Sequence, residues 1–352
     1  MSNGSAGQLE VGAAEAATKG DVPSVPPRRR ARVPLGQGLR TPFSHRVGEA
    51  AIHVMAFAAV AAIALIFLFI AKEALPILFD VAAQEEIGGL SALVFPRVWP
   101  GYAEAAFVWQ PVGEIPKLNV VPLFVGTLKV TVISMLIAVP LSIGAAIYVS
   151  QYASRRAREI LKPAIELLAS IPSVVLGFFA LMILATFVQS LLGTTYRLNV
   201  IVASLGLSLA IAPLVFTISE DALSAVPKDL LHAALALGAR KHQVILRVVV
   251  PAALPGIAAA VILGMGRAIG ETLVVLMASG NAAVVELFDP TTSARTVTAT
   301  IAAELGEVTQ GDPHWRVLFL LGTLLFLVTF VLNRVGALVI DRLHKRLSGG
   351  AV

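Results

Sequence analysis

Cysteine is absent from all 352 residues, which excludes disulfides, thiolate chemistry and cysteine-ligated metals. Charge is scarce as well. Asp, Glu, Lys and Arg make up 14% of the chain against 57% hydrophobic residues, where a soluble domain carries about 25% charge. Mean hydropathy is +0.83, so the chain reads as a membrane protein. No Gly-x-x-x-x-Gly-Lys-Ser/Thr loop occurs, nor any Gly-Lys pair, which excludes a P-loop nucleotide site. The histidines (His45, His53, His232, His242, His314 and His344) are scattered without ligand spacing, so no metal site is expected. No Ser-His-Asp arrangement is legible, and no internal repeat of the kind that builds many secondary transporters.

Long apolar runs are what the sequence does have. A bilayer core needs about 20 apolar residues per helix, and six candidate spans lie near 50–71, 123–149, 164–192, 199–219, 253–279 and 316–339. The first is too long and too far from the start for a secretory signal and reads as a retained anchor. The net charge of +5 does not point to nucleic acid, because the basic residues sit in short loops between spans. With both termini inside, the tails and cytoplasmic loops hold three Lys or Arg for each one in the outer loops, the asymmetry that sets orientation. Loop 151–163, with Arg155, Arg156, Arg158 and Lys162, is the clearest inside marker. Lys129, Arg267 and Arg334 fall within spans. Lys129 is expected to snorkel to the interface on its long stem, and Pro140 to be tolerated within its helix.

Residues 1–44 are rich in Gly, Ala, Ser and Pro, carry the run Arg28-Arg29-Arg30-Ala31-Arg32 and read as a disordered basic cytoplasmic tail. Two outer segments, 72–122 and 280–315, exceed what a hairpin needs. Their tryptophans, Trp99, Trp109 and Trp315, are expected to mark the headgroup belt rather than to stack on a ligand.

Two constellations carry functional information. In the cytoplasmic loop 220–255, Pro227 can open a helix, and Leu230, Ala233, Ala234 and Leu237 recur at helical spacing on one face. Gly238 permits a positive-φ stop, after which a second helix is expected from Arg240 to Pro251. A small-residue face beside a glycine break suits insertion into a protein groove. A basic amphipathic helix lying on lipid is the other reading. In the fifth span stands Gly264-Met265-Gly266-Arg267-Ala268-Ile269-Gly270-Glu271-Thr272. Arg267 and Glu271 are four apart, so one helix face can pair them. Intramembrane ionisable groups mark a pathway by default, and the guanidinium fork suits an oxyanion. An ion pair that merely locks two helices is the alternative.

The loop resembles the Glu-Ala-Ala coupling loop of ABC importer permeases, whose pattern continues with Gly after three residues and Ile-x-Leu-Pro after nine more. Ala233, Ala234, Gly238 and Pro251 match it; His232 stands where the pattern has Glu, and Val248 and Val250 where it has Ile and Leu. The Arg267 constellation with Gly280-Asn281 is similar to phosphate importer permeases of the PstC type. So are Gly126-Thr127-Leu128, the stretch Ile171-Pro172-Ser173-Val174-Val175-Leu176-Gly177, the run from Arg295 to Glu304, and Asn333. The likeness covers roughly residues 50–340, and the PstA-type sister shares the Arg-Ala-x-Gly-Glu-Thr signal.

This resemblance implies an all-α inner-membrane protein of six transmembrane helices with the type I ABC importer permease fold and both termini cytoplasmic. It implies a first helix and outer segment over 45–121, a permease domain over 122–340 and a short cytoplasmic tail over 341–352. Arg267, Glu271 and Thr272 would line the substrate path; His232, Ala233, Ala234, Gly238 and Pro251 would meet the ATPase. No cofactor is expected on this chain, ATP and Mg being bound by a PstB-type ATPase dimer. The other expected partners are a PstA-type permease, a PstS-type extracytoplasmic phosphate-binding protein and membrane lipid. A permease for phosphonate, sulfate or molybdate, or a proton-coupled carrier using Glu271, stays open.

Overall fold

A computed structural model describes residues 43–113 and 116–347. Most of the expected N-terminal tail, 1–44, and the last residues of the expected C-terminal tail lie outside the described residues. The chain divides into two units, 1–59 and 60–352. The described part of the first unit is the opening half of helix α1 (Phe43–Phe79), whose residues 47–59 are exposed throughout. Ile52, Val54, Met55 and Phe57 among them are apolar, the surface a lipid-facing helix presents.

In the second unit, the rest of α1 leads to the short helices α2 (Val81–Glu86) and α3 (Leu90–Val94). Two antiparallel ribbons follow, β1 (Arg97–Val98) with β2 (Ala105–Ala106) and β3 (Trp109–Gln110) with β4 (Lys117–Leu118), in register Arg97 to Ala106 and Trp109 to Leu118. Asn119, 1% exposed, fastens this region: its Nδ2 donates to the carbonyls of Ala92 and Phe95. Trp99 and Trp109 are buried, so the expectation of a headgroup belt does not hold for them. Trp109 packs in a cluster with Ala74, Ile77, Leu118 and Leu318, and the half-buried Trp315 donates to Glu73.

Among the described residues six helices are long and apolar enough to cross a membrane, as the hydropathy implied, but two differ most from the expected limits. The span expected at 164–192 is two elements. Helix α5 (Arg155–Ala169) is amphipathic and carries four cations; α6 (Ser173–Leu192) starts afresh behind Pro172, which cannot donate a backbone hydrogen bond. The span expected at 253–279 is broken too. Helix α9 (Lys241–Gly270) stops at Glu271, whose ψ of 131° is extended, and α10 (Leu273–Ala278) begins two residues later. The other spans are α4 (Val121–Tyr152), α7 (Val200–Ser224) and α12 (Pro313–Leu347). Helix α12 continues through residues 341–347, where a tail was expected. Between spans lie α8 (Lys228–Ala236) and α11 (Val297–Glu304).

Helix α7 is the centre: 61% of its most apolar window is buried, against 22–33% for α4, α6, α9 and α12. Val202, Leu207 and Ile211 of α7 pack with Val130 and Ala138 of α4, Ala268 of α9 and Val274 of α10. Small residues set the closest approaches. A Cβ on Gly177 of α6 would lie 2.9 Å from Met277 Sδ and 3.1 Å from the Leu273 carbonyl. A Cβ on Gly126 of α4 would collide with the Arg295 carbonyl oxygen.

That collision involves backbone on both sides, so neither partner can swing away. Gly126→Ala is expected to destabilise the assembled protein by about 1–3 kcal/mol through overpacking. Thermal unfolding in detergent should show the drop, and an unchanged midpoint would refute the contact.

Candidate substrate path and docking loop

Two ends of the helix bundle frame the site. At one end, loop 280–296 lies over the starts of α4 and α7. Gly280 (φ 82°) and Asn281 (φ 53°) turn the chain, and Gly280 forms a parallel bridge to Ala294. The first N–H groups of a helix have no partner of their own. In α7 they are met by the Asn199 side chain, which accepts from Val202, and by the carbonyls of Thr292 and Pro290, which accept from Val200 and Ile201. Lys129 holds this loop down. It is 9% exposed, and its Nζ donates to the carbonyls of Glu286 (2.5 Å) and Asp289 (2.6 Å) and to Thr292 Oγ1 (3.2 Å). The side chain is a buried strut, and the expectation that it snorkels is corrected. Asp289, outside the spans, titrates below its ordinary 3.8 because the Thr291 hydroxyl and N–H donate to it.

The broken span leads inward from this loop. Glu271 lies outside the helix that carries Arg267, so the expected one-face ion pair does not form. Its Oε1 instead accepts from the backbone N–H of Thr272 (3.2 Å) and of Val274 (3.5 Å), capping α10. Its carbonyl accepts from Thr298 Oγ1 of α11, and Thr272 Oγ1 donates to the Gly270 carbonyl. Helix α11 ends on Glu304, which receives Trp109 Nε1, Arg295 and His314 Nε2. Arg267 is exposed on α9, with no hydrogen bond or ion pair among the described residues. An unpaired guanidinium in a span costs several kcal/mol in lipid, so it faces water or another chain. Arg334, also exposed, sits nearer the end of its span, where snorkelling suffices.

At the opposite end stands an ion cluster that the sequence reading missed. Glu220, on the last turn of α7, is fully buried. It accepts from Arg158 (2.5 Å), Lys162 (2.6 Å) and Ser224 (2.7 Å), and Lys162 also reaches Asp221 (2.8 Å). Arg158 and Lys162 are four apart, one turn of α5, so both point at one acid. That spacing was the available signal. Hydrogen bonds to Asp221, then Glu220, raise the Lys162 pKa above 10.5.

Helix α8 hangs below this clamp. Pro227 precedes it, and Gly238 ends it with a φ of 84°, as expected. Leu231 and Ala234 pack inward near Val244, Val249 and Leu223, while His232, Ala233 and Leu237 are exposed, Leu237 to 89%. The second helix does not stop at Pro251. It is the first part of α9, which passes through a π turn at Ile245–Val249 just before Pro251 and continues to Gly270.

Among the described residues no group of three or more His, Asp or Glu could hold a metal ion. Comparison with known proteins identifies the class: an ABC importer permease, a subunit that works with an ATPase and a binding protein. The chain belongs to the family of binding-protein-dependent transport system inner membrane components, which it matches over residues 138–349. It is 36% identical over 245 residues to the probable ABC transporter permease protein YqgH of Bacillus subtilis, covering 70% of this chain and 79% of that one. It is 32% identical over 287 residues to the phosphate transport system permease protein PstC of Mesorhizobium japonicum, covering 74% and 86%. A chain of a bacterial alginate ABC transporter, crystallised with an alginate pentasaccharide-bound periplasmic protein, superposes with a TM-score of 0.53 at 17% identity, over 87% of this chain and 99% of that one. At that identity the likeness shows the fold.

Removing the buried acid leaves Arg158 and Lys162 facing each other, both partly solvated. Glu220→Ala is expected to cost about 1–3 kcal/mol and to expose α5 to protease, read by thermal unfolding and limited proteolysis. A raised lysine pKa contributes stability that is complete below the unfolded value and lost as pH climbs through the folded one. The share of stability that Lys162 contributes should therefore be constant from pH 6 to 9 and be lost in alkali above 10.5. A difference between wild type and Lys162→Met that changes between pH 6 and 9 would contradict it.

Proposed function

We propose that this chain is the PstC-type permease of an ATP-driven inorganic phosphate importer, forming half of the translocation path and coupling through α8 to a cytoplasmic ATPase. The observation that carries the reading is Arg267: a cation inside a span, without a partner in its own chain, next to a helix break. Relatives of 30–32% identity named for phosphate transport support phosphate as the oxyanion. The basic end of the bundle, with α5 and α8, faces the cytoplasm by the same charge asymmetry that orients other membrane proteins. Both termini are then inside, and the partners are a PstA-type permease, a PstB-type ATPase pair and a PstS-type binding protein.

In this mechanism ATP-driven closure of the ATPases pushes on α8 and rocks α7 and α9, which pack against it through Leu223, Val244 and Val249. Arg267 offers the anion a transient site with two parallel donors, and Thr272 adds a hydroxyl. Glu271 caps α10 and fixes the break, so that Arg267 meets the anion without a fixed counterion. Release requires weak binding, which a single exposed cation provides better than a closed cage.

Arg267→Ala should abolish phosphate uptake by the intact complex, and Arg267→Lys, which keeps charge but loses the fork, should retain a small fraction. Labelled phosphate uptake in reconstituted vesicles reads this, with sulfate, molybdate and phosphonate as competitors. Normal uptake by the alanine variant would defeat the path assignment, and vanadate-insensitive uptake that stops with the proton gradient would defeat the ATP-driven reading. Separately, Gly238→Pro forces a φ near −65° where 84° is needed. It should release the ATPase from purified complexes while leaving membrane insertion unchanged; retained, fully coupled ATPase would refute the docking role of the hairpin.

A further inference from the structure

The geometry points to a charge code on the docking hairpin: a cationic pocket beside α8 receives an acidic side chain from the ATPase groove. This rests on the docking role proposed above and adds the chemistry of the contact. A cavity of about 340 Å³ opens at the base of α8, with Ser150, Gln151, Arg158, Ser224, Lys228 and His232 among its walls. Its one nearby buried acid, Glu220, is already saturated by Arg158, Lys162 and Ser224. Lys228 and His232 have no hydrogen bond or ion pair among the described residues. Pro227, at the cap of α8, supplies no side-chain acceptor, so the first-turn N–H groups and the positive end of the helix dipole add to the same field. Between residues 228 and 249 the only acid is Asp229, against Lys228, Arg240, Lys241, Arg247 and two histidines. Lys241 is engaged with the Tyr152 ring.

The layout of α8 chooses between a protein groove and a lipid surface. Leu230 and Leu237, seven apart, share one line of the helix, 46% and 89% exposed. Lys228 and His232, four apart, share a line roughly opposite. A membrane surface meets one line of a helix lying on it; a groove that embraces the helix meets both. The complementary groove has an apolar floor for the leucines and a carboxylate at its rim. His232 is then a specificity residue. The glutamate that the coupling-loop pattern carries at this position would face that carboxylate and repel it.

The test uses the complete importer purified with its own ATPase and compares wild type with His232→Glu, His232→Lys and Lys228→Gln/His232→Gln. ATPase retention is read against rising NaCl, and retention of the second permease controls for folding. We expect His232→Glu to lower retention about tenfold and His232→Lys to preserve it. The double variant should fall between and lose most of its salt dependence. A single Asp or Glu to Lys change in the ATPase groove should restore His232→Glu. Equal retention of wild type and His232→Glu would overturn the charge code. So would a loss that tracks the anionic lipid content of the vesicles, or displacement of wild-type ATPase by inorganic phosphate beyond that by chloride at equal ionic strength. A wild-type complex that never holds an ATPase would instead defeat the importer reading itself, which keeps the two failures apart.

Discussion

Backbone N–H and C=O groups have no water to turn to inside a bilayer, so each interruption of a spanning helix must find its partners within the protein. The architecture of this chain follows from how it meets that demand at three places. The buried start of α7 is met by Asn199 and by the carbonyls of loop 280–296. The break after Gly270 is met by the Glu271 carboxylate on one side and by Thr298 on the other. The start of α6 needs less, because Pro172 precedes it and carries no N–H. Loop 280–296 is thereby part of the core, and Lys129 is the strut that keeps it there.

The same accounting separates the charges. Glu220 and Lys129 are buried and saturated with partners of their own chain, which is how ionised groups survive low dielectric. Glu304 is nearly so, with Trp109, Arg295 and His314 around it. Arg267 has no partner within its span, and on the hairpin Lys228, His232, His242 and Arg247 have none among the described residues. A cation left open well inside a span faces water or another chain. The two sets differ in setting. Arg267 adjoins a helix break, whereas Lys228 and His232 stand on a short helix pinned by Leu231 and Ala234.

Hydropathy alone predicted six spans and placed four of them, because the requirement for about 20 apolar residues leaves few alternatives; the breaks at Pro172 and Glu271 shifted the other two. Gly238 and Pro227 likewise predicted the limits of α8 from backbone chemistry. The misses share a cause: periodicity along one segment says nothing about what another segment brings to it. Arg267 and Glu271 have the spacing of a helical pair, but Glu271 does better by capping α10, and the helix ends before it. Lys129 was visible as an intramembrane charge; that carbonyls from residues 286 and 289 would surround it was not. Trp99 and Trp109 have belt composition, yet both are buried, Trp109 in a cluster that the outer segment shares with α1, α4, α11 and α12. For Glu220 the sign was present in Arg158 and Lys162 one turn apart, but the acid lies far along the chain.

These contacts also explain how one subunit can move without coming apart. The clamp at Glu220 joins α5 to α7, and the cluster around Val244 and Val249 ties α8 to α7 and α9, so in the proposed mechanism a push on α8 reaches two spans together. At the far end α11 is tied at its start to the Glu271 carbonyl by Thr298 and at its end to the outer core by Glu304. The break between α9 and α10 thus lies between two braced bodies: the extended Glu271 and Thr272, held by a carboxylate and two hydroxyls. A rocking motion that leaves both braces intact must concentrate its backbone change there, within one turn of the guanidinium that the chain leaves unpaired.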